Sequence, residues 1–354
     1  MKQVMRHFIW LLVVVMALAV FAPLAGAQPV QQGADPAARG KYLVTIAGCL
    51  DCHTPLKSDG TPDSARAFAG GQPFDLGPLG KLFTKNLTSD KDTGLGNWTD
   101  DEIKTAIRAG VSKDGTHLFP VMPYLIFNNM ADADVAAIVA YLRTVPAVSN
   151  KVPDRQLNIP AESLPNIPQR TGIVAPDPAD TAARGKYLMT AVIACTDCHT
   201  PVDPNTGAPI MEKYLAGGQP YEGPWGTIYG GNITPDKETG IGKWSDDDIK
   251  RLLRQGVLPE SQKYRRAVLM PWSAWAGLTD QDTAAIVHYL RNDVKPVSNL
   301  IPAPKLNEGF AQYAQAPAAA GSDPTVIVII VLVVAGIGLG VFLMTRRKPA
   351  AAAK

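Results

Sequence analysis

The sequence predicts an all-α protein: two tandem copies of one small helical domain, then a single membrane-spanning helix. Three observations carry this expectation. The chain repeats itself at an offset of 145 to 148 residues. Each copy holds helix-start signals and apolar residues at helical spacing, and no segment alternates convincingly as a strand. Residues 325–344 are uncharged and rich in Val, Ile and Leu, a length that spans a bilayer as a helix.

The repeat organises the chain. Ala-Arg-Gly-Lys-Tyr-Leu at 38–43 returns at 183–188, and Gly-Gly-Gln-Pro at 70–73 returns at 217–220. Asn86-Leu87-Thr88 returns as Asn232-Ile233-Thr234, and the Thr-Gly-Leu-Gly-Asn-Trp at 93–98 as Thr-Gly-Ile-Gly-Lys-Trp at 239–244. Tyr-Leu-Arg at 141–143 returns at 289–291. In the first copy, Asp35 with Pro36 marks a helix start. Thr99 to Glu102 reads as a capping box ahead of Ile103, Ala106 and Ile107. Ser245 to Asp248 is its weaker counterpart, ahead of Ile249, Leu252 and Leu253. Val135, Ile138, Val139 and Leu142, and later Ile286, Val287 and Leu290, have the spacing of a final helix.

Cys49-Leu50-Asp51-Cys52-His53 and Cys195-Thr196-Asp197-Cys198-His199 use all four cysteines of the chain. Each reads C-x-x-C-H, the attachment signature of a c-type haem. Two thiols within one helical turn can form thioethers with the two vinyl groups of one haem, and the following histidine then lies beneath the iron. One zinc shared by both pairs would leave both histidines idle, and a thioredoxin-like disulfide needs a βαβ context that is absent. The cofactor expectation is therefore two covalently bound c-type haems, one per copy. For the far side of the iron each copy offers a methionine before its last helix. Met122-Pro123 lies 69 residues after His53, and Met270-Pro271 lies 71 residues after His199. The expected iron ligands are His53, Met122, His199 and Met270. His117 is a rival in the first copy only, and His288 aligns with Ala140. Trp98 and Trp244 suit either a haem propionate or core packing. Arg108 and Arg254 read as solvated helix residues, with propionate contact as the alternative. Gly40 and Gly185 suit a close crossing by the last helix, against Tyr141 and Tyr289.

The ends suggest export and anchoring. Lys2 and Arg6, an apolar run from Phe8 to Phe21, and Ala25-Gly26-Ala27 read as a cleavable signal peptide over residues 1–27. Arg346, Arg347 and Lys348 follow the apolar run at 325–344, so the positive-inside rule places the haem domains outside the cytoplasm. The expected layout is a signal at 1–27, the first domain at 28–150 and a Pro-rich linker at 151–179. The second domain at 180–300, a linker at 301–324, the span at 325–344 and a cytoplasmic tail at 345–354 complete it. The formal net charge is +2. Without the six basic residues of the two ends it falls to about −4, which argues against a nucleic-acid partner.

The Asn-[Leu/Ile]-Thr block, the repeated Thr-Gly-[Leu/Ile]-Gly-x-Trp-[Thr/Ser]-Asp-Asp and the stretch His117-Leu118-Phe119-Pro120-Val121-Met122-Pro123-Tyr124 carry a more specific likeness. With the C-x-x-C-H motifs and the terminal helices, they resemble class I cytochrome c domains. In particular they are similar to the cytochrome c subunits of membrane-bound periplasmic dehydrogenases that oxidise alcohols or gluconate. The resemblance covers about residues 35–145 and 180–293. It implies axial ligation by His53, Met122, His199 and Met270, no catalytic residues, and electron transfer as the role. The donor would be a dehydrogenase or quinol-oxidising complex, and the acceptor a soluble cytochrome or terminal oxidase. Those subunits typically carry three haems where this chain has two motifs, and the second copy lacks the His-Leu-Phe-Pro lead-in. Alternatives are a di-haem subunit of a quinol–cytochrome c reductase and a di-haem enzyme such as a peroxidase.

Overall fold

In the computed structural model, the described residues are 35–58, 60–204, 206–223, 225–259 and 270–308. The first repeat opens with α1 (Pro36–Ile46). The Asp35 carboxylate accepts Ala37 N–H at 2.9 Å, and Pro36 sits where a missing N–H costs nothing. One turn, α2 (Cys49–His53), carries the first motif. α3 (Asp100–Ala109) starts in the expected capping box, with Thr99 and Glu102 each satisfying the other's backbone N–H. Two helices close the repeat, α4 (Tyr124–Phe127) and α5 (Asp132–Leu142).

The second repeat follows the same plan in α6 (Thr181–Tyr187), α7 (Cys195–His199), α8 (Asp246–Gln255), α9 (Trp272–Trp275) and α10 (Asp280–Asn292). The α8 box is complete, because Asp248 reaches back to Ser245 N–H at 2.9 Å just as Glu102 does to Thr99. The repeat offset grows from 145 at Tyr42/Tyr187 to 146 at Cys49/Cys195. The extra residue is absorbed by a π-turn at Leu188–Val192, which keeps the motif in phase with the helix before it.

The all-α expectation is corrected. Two three-stranded antiparallel sheets are present, β1 (Pro73–Asp75), β2 (Gly80–Phe83) and β3 (Gln156–Leu157), then β4 (Pro220–Gly223), β5 (Gly226–Tyr229) and β6 (Lys305–Leu306). Pro73 pairs with Phe83, Gly80 with Leu157, Pro220 with Tyr229 and Gly226 with Leu306. Strands of two to four residues broken by Pro and Gly are too short to show a period of two. In each sheet the third strand also comes from a distant segment. The β1–β2 hairpin buries Phe74, Leu76 and Leu82, with Cys52, Phe119 and Val121 packed beside them.

The membrane expectation is corrected too. Among the described residues no helix is long and apolar enough to cross a membrane. The signal at 1–27 and the span at 325–344 lie outside the described residues. On that finding a single-pass protein of the cell membrane is not carried forward.

Each last helix lies across the first helix of its own repeat, α5 on α1 and α10 on α6. The repeats also pack on each other, since α4 meets the Leu188–Val192 turn and α9 meets α1. One hydrophobic core therefore runs through both, from Leu43, Ile46 and Ile138 to Leu188, Met189 and Ile286. The stretch after α5 is strapped onto the first repeat. Asp132 N–H donates to Ile173 O at 2.9 Å, Gly172 N–H to Asp132 Oδ2 at 2.7 Å, and Asn128 Nδ2 to Pro168 O at 3.0 Å.

Candidate functional site

The two thiols of each motif share a single helical turn, and all four cysteines are free. Burial, aided by Asp51, pushes the Cys49 and Cys52 thiols up to about 12; burial raises Cys198 to about 11 and Cys195 in the same direction. Both pairs are held as neutral thiols. Asp51 and Asp197, between the cysteines, are likewise pushed up to about 6 by burial.

The histidines are oriented identically. His53 Nδ1 lies 2.7 Å from Lys85 O, and His199 Nδ1 lies 2.7 Å from Gly231 O. A carbonyl can only accept, so Nδ1 carries the proton and Nε2 keeps its lone pair. Burial lowers both histidine pKa values against the opposing pull of those carbonyls, which keeps the rings neutral and fit to ligate.

The repeated blocks explain where those carbonyls come from. Asn86 follows Lys85, and Asn232 follows Gly231. Asn86 Oδ1 accepts Thr88 N–H at 2.9 Å while Nδ2 donates to Val148 O at 2.8 Å; Asn232 does the same with Thr234 at 3.0 Å and Val297 at 2.8 Å. Gly70 N–H donates to His53 O and Gly217 N–H to His199 O, both at 2.7 Å. Gly70 (φ 69°) runs so close to the acceptor segment that a Cβ there would stand 2.5 Å from Lys85 O. The orienting acceptors escaped sequence reasoning because they are backbone atoms. Their signal was the Asn-x-Thr repeat one residue downstream.

In the second repeat Cys195, His199, Trp244 and Met270 line one apolar cleft with Ile249, Leu253 and Ile286. In the first repeat Cys49, Trp98 and Met122 pack against the shared core. A pair of neutral thiols, a neutral imidazole presenting Nε2, and an apolar cleft with a thioether on its wall fit a covalently held haem.

The other candidates are placed differently. Arg108, read as solvated, is buried and donates to Met130 O and Asp132 Oδ1 at 2.7 Å each, and to Arg170 O. It fastens the loop before α5 and the strap together. Arg254 donates to Leu278 O and to Asp280. His117 is tied to the strap, with Nδ1 3.3 Å from Pro165 O. Gly40 and Gly185 do allow the expected crossings, beside Tyr141 and Tyr289.

A family model described as cytochrome c matches residues 37–146. The chain is 32% identical to the gluconate 2-dehydrogenase cytochrome c subunit of Pantoea cypripedii, covering 72% of this chain and 58% of that one. It is 30% identical to the cytochrome c subunit of the quinone alcohol dehydrogenase of Gluconobacter oxydans, over 74% of this chain and 56% of that one. A diheme cytochrome c-type protein of Cereibacter sphaeroides is 30% identical over 72% of this chain and 85% of its own length. The chain belongs to the cytochrome c family. The cytochrome spans at most about three fifths of the length of the dehydrogenase subunits it matches. The cofactor of that family is covalent haem c.

Proposed function

We propose that this cytochrome holds two covalent haems and relays electrons. The donor is a dehydrogenase or quinol-oxidising complex, and the acceptor a downstream cytochrome or terminal oxidase. Cys49, Cys52 and His53 hold one haem, and Cys195, Cys198 and His199 the other, with Met122 and Met270 as the second axial ligands. The two repeats, 28–150 and 180–300, each house one site. Each haem supplies a one-electron iron couple.

The observation that carries the reading is the duplicated bond from a neutral histidine to a fixed carbonyl, 2.7 Å at both His53 and His199. A symmetric pair of oriented imidazoles suits two saturated iron sites, and turnover would require one site to be left open. The dehydrogenase donor rests on the likeness to the gluconate and alcohol dehydrogenase subunits.

The test is haem stoichiometry and partnership. Denatured protein is expected to keep its haem stain, and the pyridine haemochrome assay to give two haems per chain. One haem per chain, or haem released by acid acetone, contradicts the reading. Affinity purification is expected to bring down a dehydrogenase; recovery with a quinol–cytochrome c reductase instead would replace the donor.

A further inference from the structure

Six buried or half-buried side chains close a ring across the two repeats. Arg39 Nε and Nη2 donate to Asp134 Oδ1 and Oδ2, both at 2.9 Å, within the first repeat. Arg184 makes the matching pair with Asp282 in the second, at 2.8 and 2.9 Å. The bridges between repeats are tyrosines, exchanged reciprocally. Tyr42 Oη donates to Asp282 Oδ2 at 2.5 Å, and Tyr187 Oη donates to Asp134 Oδ2 at 2.6 Å. Each tyrosine in turn accepts a backbone N–H of the other repeat, Ala131 on Tyr187 at 3.0 Å and Thr279 on Tyr42 at 3.4 Å. Arg39 lies over the Tyr42 ring, 5.6 Å from its centroid, and Arg184 over the Tyr187 ring at 5.7 Å.

The chemistry of this ring is that of a lock. Its two guanidinium and two carboxylate charges cancel, so the ring carries no net charge. Burial, with the nearby aspartates, raises both tyrosine pKa values, so each phenol stays a donor at any physiological pH. Each tyrosine sits on the helix that leads into a haem motif, seven residues before Cys49 and eight before Cys195. Around the ring the helix after each candidate methionine packs on the segment that leads into the other repeat's motif, α9 on α1 and α4 on the Leu188–Val192 turn.

We propose that Tyr42 and Tyr187 are positioning residues that fix the two haem sites at one separation and orientation, making electron exchange between them a rapid step within one chain. The proposal rests on the di-haem reading above. The step moves one electron from a ferrous to a ferric site; no bond is made or broken and no proton is transferred. Its rate falls steeply with distance and with the fraction of time the repeats spend apart, and the ring limits both.

The test compares the full holoprotein with Tyr42→Phe, Tyr187→Phe and the double variant. Haem content and the visible spectrum are measured first, then exchange between the sites after rapid partial reduction. Amide hydrogen exchange at Ala131 and Thr279 supplies a readout independent of the haems. The double variant is expected to keep two haems, to lose protection at both amides at least about tenfold, and to exchange electrons at least about tenfold more slowly, with each single variant between. If the double variant does not accumulate, the single variants decide. Unchanged exchange with two haems in place overturns the lock alone, even if the melting temperature falls. A wild-type protein with one haem overturns both the lock and the di-haem reading.

Discussion

Gly40 passes Ala137 so closely that a Cβ on the glycine would stand 1.9 Å from the Ala137 carbonyl oxygen. Gly185 passes Ala285 in the same way, at 2.0 Å. The obstacle is helix backbone, which cannot swing aside as a side chain can. Gly40→Ala and Gly185→Ala are each expected to push the last helix off the first and to cost about 3 kcal/mol, the upper end of overpacking penalties. Denaturant unfolding of each variant checks this; an unchanged midpoint for both would mean the crossing is looser than described.

The buried Arg184–Asp282 pair predicts an acid limb. Burial by itself would raise the Asp282 carboxyl, but hydrogen bonds and charge from Arg184, joined by Tyr42, overcome it and hold the carboxyl below the usual carboxylate range. The folded state then binds this proton less readily than the unfolded chain. The stabilisation is complete above the unfolded value of about 3.9 and is lost as pH falls through the lower folded value. Asp282→Asn is expected to cost about 3–5 kcal/mol at neutral pH, because it strands Arg184, and to flatten the decline below about pH 4. Denaturant midpoints measured from about pH 7 to about pH 3 test it, and an equally steep decline in the variant assigns the acid limb to other carboxylates.

Oxidised protein is expected to show the weak near-infrared band of sulfur-to-iron charge transfer. Met122→Ala and Met270→Ala should each remove about half of it, since the proposed ligation gives each iron one thioether. Retention of the whole band in either variant transfers the ligand role to another side chain.

The proposed saturated ligation at both irons also predicts that the reduced native protein neither binds carbon monoxide nor turns over peroxide. Rapid carbon monoxide binding at one site would mark it as open and favour the enzyme alternative.

The two C-x-x-C-H motifs, the two Met-Pro pairs, the repeat and the helix caps were all visible in the sequence, because each is local chemistry. Two thiols and an imidazole must fall within one helical turn, and Thr99 with Glu102 must fall three residues apart, so spacing alone reveals them. The family followed from those residues. Contacts across the chain decided the rest. The acceptor that orients His53 is 32 residues away and is a backbone carbonyl, which leaves only the neighbouring Asn86 as a trace. The sheets close with strands of two residues brought from far along the chain, and Arg108 looked solvated until the strap covered it. The Tyr42–Asp282 bridge spans 240 residues and pairs side chains from different repeats, where no spacing rule applies. A haem motif is written into one helical turn; how two such turns face each other is set only when the folded repeats bury their charges against one another.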